Sequence, residues 1–261
     1  MLPHVIAAEL AQHQSAMGDR CARTYGAIDL LTVGMGEEFE DRDLSESVFW
    51  GVNLERTTFR DTDLSGSTFF HTMWNGVSID GEVSGLVVNG VDVTEFVNAN
   101  DRWYPLRTQL SPSTADGIRA SWAQLSSEWD RLLAAVLPSH RDLATESVGG
   151  EWSLRDTLRH LLFAMDKWCT WPVLGDRQML AIGLPNTGSQ GRDWPGLDLT
   201  LQPDLDEVLT ARTAQHERFG RLLDTLLIES LPETVEVLEN GTVPTVMCFH
   251  VVLEEEFEHL R

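Results

Sequence analysis

Between residues 39 and 79 an apolar side chain falls at every fifth position: Phe39, Leu44, Phe49, Leu54, Phe59, Leu64, Phe69, Trp74 and Ile79. A five-residue period fits neither the 3.6 of an α-helix nor the 2 of a strand, so this stretch predicts a repeat architecture. Two positions before most of these centres stands a small or β-branched residue (Ser47, Val52, Thr57, Thr62, Ser67, Thr72, Val77), and Asp43, Asn53 and Asp63 directly precede alternate centres. The Val- and Gly-rich run that follows, DGEVSGLVVNGVDVTEFV, reads as a strand pair that closes the end of the repeat.

This pattern resembles the pentapeptide-repeat family, in which the chain coils as a short right-handed quadrilateral β-helix with the central Leu or Phe stacked inside. The familiar Ala before Asp/Asn-Leu is replaced here by Ser, Thr or Val. Four pentapeptides make one coil in that family, so the resemblance implies about two coils, a stack short enough to need capping. Residues 1–36 match no pattern and read as an unassigned N-terminal segment with a short helix.

Past Trp103 the period becomes helical. Ile118, Trp122, Leu125, Trp129, Leu132, Leu133 and Val136 predict a helix over Ser113–Val136, stopped by Pro138. Ser153 with Asp156 resembles a capping box opening a second helix, which runs to about Trp171 before Pro172. A Gly/Pro-rich loop, LPNTGSQGRDWPG, leads to a third helix from about Asp204 to Ile228 and a fourth from about Val246 to the end. Four helices with one long connection imply a four-helix bundle. The fold class expected is therefore α+β multidomain, with residues 37–100 as the repeat segment and 101–261 as the bundle.

At 261 residues the chain can bury a substantial core without covalent staples. Its net charge of −22 argues against nucleic acid, whose phosphates need clustered Lys and Arg. Cys21, Cys169 and Cys248 are odd in number and widely spaced, which fits neither a disulfide framework nor a thiolate cluster and points to the cytoplasm. The N-terminus lacks a basic region before its apolar stretch, and no run approaches the roughly 18 apolar residues of a membrane span.

The chemistry-bearing residues cluster late in the chain. Glu255 and His259, four apart on the fourth helix, share one face at about 6 Å, where they can close on a metal ion with a histidine from a neighbouring helix. Cys248, Val252, Glu255 and His259 follow at spacings of four, three and four, so the pair continues an inward stripe. Spacing alone leaves Glu256, at i−3 from His259, as an alternative acidic ligand, while His250 with Glu254 forms a second four-spaced pair. His160 lies beside the stripe Leu154, Leu158, Leu161, Met165 and Trp168, and His216, among polar neighbours on the third helix, reads as solvated. His259 stands two residues before Arg261, in the last turn of its helix, where fraying is expected.

The motif GEWSLRDTLRHLLFAMDKW, the long loop after it and the terminal VVLEEEFEH together resemble the DinB/YfiT-like superfamily of four-helix metal-binding proteins over roughly residues 110–261. In that superfamily a histidine of the second helix and a His-x-x-x-His or Glu-x-x-x-His pair of the last helix bind a divalent metal, so the resemblance implies His160, Glu255 and His259 as ligands of zinc or nickel. The actinobacterial branch, which includes mycothiol-dependent maleylpyruvate isomerase, uses the Glu-x-x-x-His form. The resemblance therefore implies a cytoplasmic S-transferase or isomerase working on a low-molecular-weight thiol such as mycothiol and a small electrophile. It implies no nucleic-acid or membrane partner, with a homodimer allowed, and the loop from Leu184 to Gly196 at the entrance of the site. Two alternatives remain at this level: a non-enzymatic pentapeptide-repeat interaction protein, acidic enough to mimic duplex DNA, and a scaffold whose metal serves stability alone.

Overall fold

The structure, a computed structural model, describes residues 37–39, 42–60, 62–148, 151–186 and 189–261. The N-terminal segment, with its expected short helix and Cys21, lies outside them. The chain divides into two compact units at Trp74 and Asn75.

In the first unit the five-residue period of the sequence becomes a recurrence of turns. The Ser47, Thr57 and Ser67 amides donate to the Leu44, Leu54 and Leu64 carbonyls at 3.1, 3.2 and 3.0 Å. The third residue of each turn, Glu46, Arg56 or Gly66, has φ of 61, 63 or 72°, as a type II turn demands. Asp43, Asn53 and Asp63 start these turns by accepting from the amides two residues on, at 2.9, 3.0 and 2.8 Å. The alternating Asp and Asn positions of the sequence thus mark a ten-residue turn repeat. Strand pairing is absent from the described residues before Val87, and a closed β-helix is not shown: the nine apolar centres stay 43–62 % exposed.

In the second unit the expected strand pair forms as β1 (Val87–Val88) and β2 (Val91–Asp92), antiparallel across Asn89–Gly90, both at positive φ. Helices α1 (Thr94–Asn100) and α2 (Tyr104–Arg107) lead to four longer ones: α3 (Ala115–His140), α4 (Leu154–Met165), α5 (Leu205–Asp224) and α6 (Thr245–Glu258). Helices α3 and α4 each pack mainly on α5 and α6, which gives the order α3–α5–α4–α6 around the bundle. No helix among the described residues is long and apolar enough to cross a membrane.

Helix starts follow capping chemistry. The Ser153 hydroxyl accepts from the Asp156 amide and donates to its carboxylate at 2.9 Å, while Asp204 and Glu207 form a complete capping box. Helix ends differ from expectation in three places. Pro138 does not stop α3, which reaches His140, because a proline in the last turn forfeits only one internal bond and its φ suits the helix. Helix α4 gives way to a π turn at Asp166–Thr170, where the buried Asp166 carboxylate accepts from the Leu180 amide at 2.7 Å and from Gln215 at 2.9 Å. Helix α5 ends at Asp224, four residues short of Ile228, as Arg119 of α3 donates to the freed Leu223 and Leu226 carbonyls. A hairpin unforeseen in the sequence, β3 (Thr234–Val237) with β4 (Gly241–Pro244), then feeds α6.

One core joins the four helices, with Ile118, Leu125 and Trp129 of α3, Leu158, Leu161 and Leu162 of α4, Val208, Phe219 and Leu223 of α5, and Phe249, Leu253 and Phe257 of α6 all buried. An ion pair crosses its centre. Arg212 of α5 grips Glu256 of α6 through two bonds of 3.1 and 2.5 Å, stacks on Trp129 at 4.8 Å, and leaves both side chains at most 5 % exposed. The Trp129 indole N–H donates to the Glu256 carbonyl at 3.1 Å. His216, expected in solvent, packs on Trp122 at 4.6 Å with Nε2 3.4 Å from Glu256, because the buried acid draws it inward. Burial pushes the Glu256 carboxyl up, but Arg212 and His216 together outweigh it and hold the acid well below the usual range.

Removing one partner of such a pair strands a buried charge. Arg212→Met should lose about 3–5 kcal/mol in urea denaturation, and Arg212→Met with Glu256→Leu should recover most of that loss. Equal loss in single and double variants would contradict it.

Candidate metal centre

The seam between α4 and α6 holds the three residues that sequence reasoning brought together. One ligand atom from each of His160, Glu255 and His259 lies within 4.8 Å of the other two. His160 Nε2 stands 3.2 Å from Glu255 Oε2, and His259 Nε2 stands 3.6 Å from the same oxygen. The rotation of α6 separates the two adjacent acids: Glu256 points into the core to Arg212, and Glu255 faces His160. The other four-spaced pair turns elsewhere, with His250 Nε2 at 3.0 Å from the Pro112 carbonyl.

His160 sits in the middle of α4 and is 7 % exposed. Its Nδ1 lies 3.0 Å from the Leu184 carbonyl at the start of the long loop. A carbonyl can only accept, so Nδ1 carries a proton and Nε2 is aimed at Glu255. That Nε2 stands 3.2 Å from a Glu255 oxygen, a spacing that a metal ion could bridge. Burial pushes the Glu255 carboxyl up, but the neighbouring His160 and His259 together outweigh it and hold the group at about 2.

The dimensions suit a small divalent ion. Ligand bonds of about 2.0–2.1 Å meeting at the tetrahedral angle put ligand atoms roughly 3.3 Å apart. The two distances to the Glu255 oxygen, 3.2 and 3.6 Å, bracket that value. The Glu255 and His259 side chains are 30 and 29 % exposed, so one side of the cluster opens to solvent. A His/Glu/His group of this kind could hold a metal while leaving positions free for an exogenous ligand.

Three features that sequence reasoning did not single out support the cluster. Trp152 lies with its ring 4.8 Å from that of His160 and 6.2 Å from that of His259. Arg159, 3 % exposed, donates to the Ile182 carbonyl at 2.9 Å and to Leu201 at 3.4 Å, while its own carbonyl accepts from the Leu184 amide at 3.1 Å. The residue next to His160 thereby fixes the loop that orients His160. Arg261 steadies the expected fraying end, bonding Glu258 at 2.6 Å and Asp80 at 2.5 Å. A Trp before a helix cap was the only one of these signals visible in sequence. Cys169 and Cys248 are buried and far from thiolate chemistry, since burial pushes both thiols up, Cys248 to about 11.

A family model described as the DinB superfamily matches residues 118–261, more than half of the chain. No curated protein and no solved structure matches it.

Arg159→Met would leave the Ile182 and Leu201 carbonyls without their donor. The variant should lose about 2–3 kcal/mol and become cleavable by trypsin in the loop at Arg177 or Arg192 under conditions where the wild type resists. A wild-type cleavage pattern would show that the loop is held by other contacts.

Proposed function

The chain belongs to the DinB superfamily, and from that premise we propose that it is a divalent-metal-dependent S-transferase or isomerase acting on a low-molecular-weight thiol such as mycothiol. His160, Glu255 and His259 are the proposed ligands, and zinc or nickel the proposed ion. The observation that carries the reading is the convergence of two imidazole nitrogens on one carboxylate oxygen at 3.2 and 3.6 Å, on the open side of a helix seam.

When bound, the ion would supply Lewis acidity, holding a substrate sulfur as thiolate near neutral pH. The protein's own groups have separate tasks. The Leu184 carbonyl keeps the Nδ1 proton of His160 and turns Nε2 to the site. Glu255 contributes one negative charge, which leaves a net positive centre for an anionic sulfur. Among the described residues Cys169 and Cys248 are buried with raised thiol pKa values, which supports a reacting thiol that arrives with the substrate. The electrophile enters from the side where Glu255 and His259 meet solvent, next to the loop from Leu184 to Gly196.

The proposal retains residues 37–100 as a pentapeptide-repeat segment, supported by the recurrent turns at Leu44, Leu54 and Leu64. A second reading, an interaction protein, is favoured by the outward side chains of that segment: Val48, Trp50, Phe70 and Met73 are 74–89 % exposed. The two readings differ in whether metal and thiol matter.

Elemental mass spectrometry of purified protein should find about one zinc or nickel per chain, lost in His160→Ala and His259→Ala and kept in His250→Ala. Thiol turnover should vanish with the metal. A scaffold would lose melting temperature on chelation and show no thiol turnover in any form. Absence of metal after reconstitution would exclude both and leave the interaction reading.

A further inference from the structure

We infer that Trp152 is a positioning residue of the metal centre, an indole that holds the two histidine rings so that both Nε2 atoms reach Glu255. The inference rests on the metal reading above and concerns a side chain that contributes no ligand atom.

Three rings close on one another beside the site. The Trp152 and His160 centroids are 4.8 Å apart at an interplanar angle of 54°, His160 and His259 are 5.0 Å apart at 68°, and Trp152 and His259 are 6.2 Å apart at 14°, an offset stack. The indole is thus the third member of a triangle whose other two corners are proposed ligands. Its backbone is fixed, because Trp152 directly precedes the buried N-cap Ser153, whose hydroxyl is tied to Asp156.

The two histidines depend on the indole unequally. His160 is 7 % exposed and already oriented through Nδ1 by the Leu184 carbonyl. His259 has no such anchor on its ring among the described contacts: it is the C-cap of α6, 29 % exposed, and its ring meets only Glu255, His160 and Trp152. Side-chain rotamers at a helix end are the freest in the element, and each must be frozen for a ligand to bind. A flat indole against the imidazole face freezes χ2 of His259 before the ion arrives. It also gains from the event, since an imidazole bound to a divalent ion becomes electron-poor and attracts an aromatic face more strongly.

A merely structural tryptophan would shield the start of α4 and contribute to stability whether or not metal is present. The two roles separate when metal affinity and apo stability are measured on the same variants. Apo wild type, Trp152→Phe, Trp152→Leu and Trp152→Met should be titrated with Co(II), followed by its visible absorption, and with Zn(II) against a chromophoric chelator. Their melting temperatures should be taken with and without metal. Trp152→Leu is expected to bind 10–100-fold more weakly, the range typical of lost ligand support. Trp152→Phe should be restored to within about threefold because a ring face remains. Trp152→Met is the second non-aromatic variant should leucine compromise folding. The metal-induced rise in melting temperature should shrink in the non-aromatic variants beyond any change in the apo value. Non-aromatic variants that bind within threefold of wild type, whatever their melting temperatures, would overturn the inference alone. A wild type that binds neither ion would overturn the metal reading and this inference together.

Discussion

The Arg212 guanidinium reaching Glu256 across the middle of the bundle sets the rotation of α6 about its own axis. Apolar contacts alone specify that rotation loosely, since Phe249, Val252, Leu253 and Phe257 form a broad buried face that tolerates a partial turn. The bidentate pair tolerates little, because both charges are at most 5 % exposed and any misalignment leaves one of them unpaired away from water. Glu255 is the next residue back, turned by about 100°. Once Glu256 is committed to the interior, Glu255 can only face the α4 seam, and His259, one turn on, faces it too.

The sequence carried the period of each segment and therefore most of the architecture. Helical spacing placed α3 to α6, and the resemblance to the DinB/YfiT-like superfamily grouped His160 with the pair on α6. What stayed illegible were choices settled by contacts distant in sequence. Glu255 and Glu256 have nearly the same local surroundings in LEEEFEH, and partners distant in sequence, Arg212 for Glu256 and His160 for Glu255, distinguish them. His216 looked solvated for the same reason: its partners are Trp122 and Glu256, on other helices. The π turn at Asp166 depends on Leu180 and Gln215, neither of them local. In the repeat segment, Asp43, Asn53 and Asp63 stand at the turns that form, whereas closure into a coil is a question of pairing between turns that no single pentapeptide encodes.

The two adjacent acids of α6 also illustrate how one helix can carry two electrostatic solutions. Glu256 is neutralised permanently by a guanidinium that never gives up its proton. Glu255 instead faces two imidazole nitrogens, groups that can ligate a metal ion. The first arrangement is sealed at 3 % exposure and the second is open at 30 %. A fixed cation suits the part of the bundle that must not move. An exchangeable one suits the seam where a ligand is to enter.

That division has a consequence for how stability is distributed. Helices α3, α5 and α6 are tied through Trp129, Arg212 and Glu256, all from the chain itself. Across the α4–α6 seam the ion pair among the described residues is His160 with Glu255, and behind it stand the Leu184 carbonyl and the Trp152 indole. An ion bound there would add a tie between α4 and α6 and would stabilise the folded state by RT ln(1 + L/Kd), where L is the free ion concentration. The bundle therefore has one seam closed by its own charges and one whose strength is set by what it binds. The long loop, pinned by Arg159 one residue from His160, connects that second seam to the entrance through which a substrate would come.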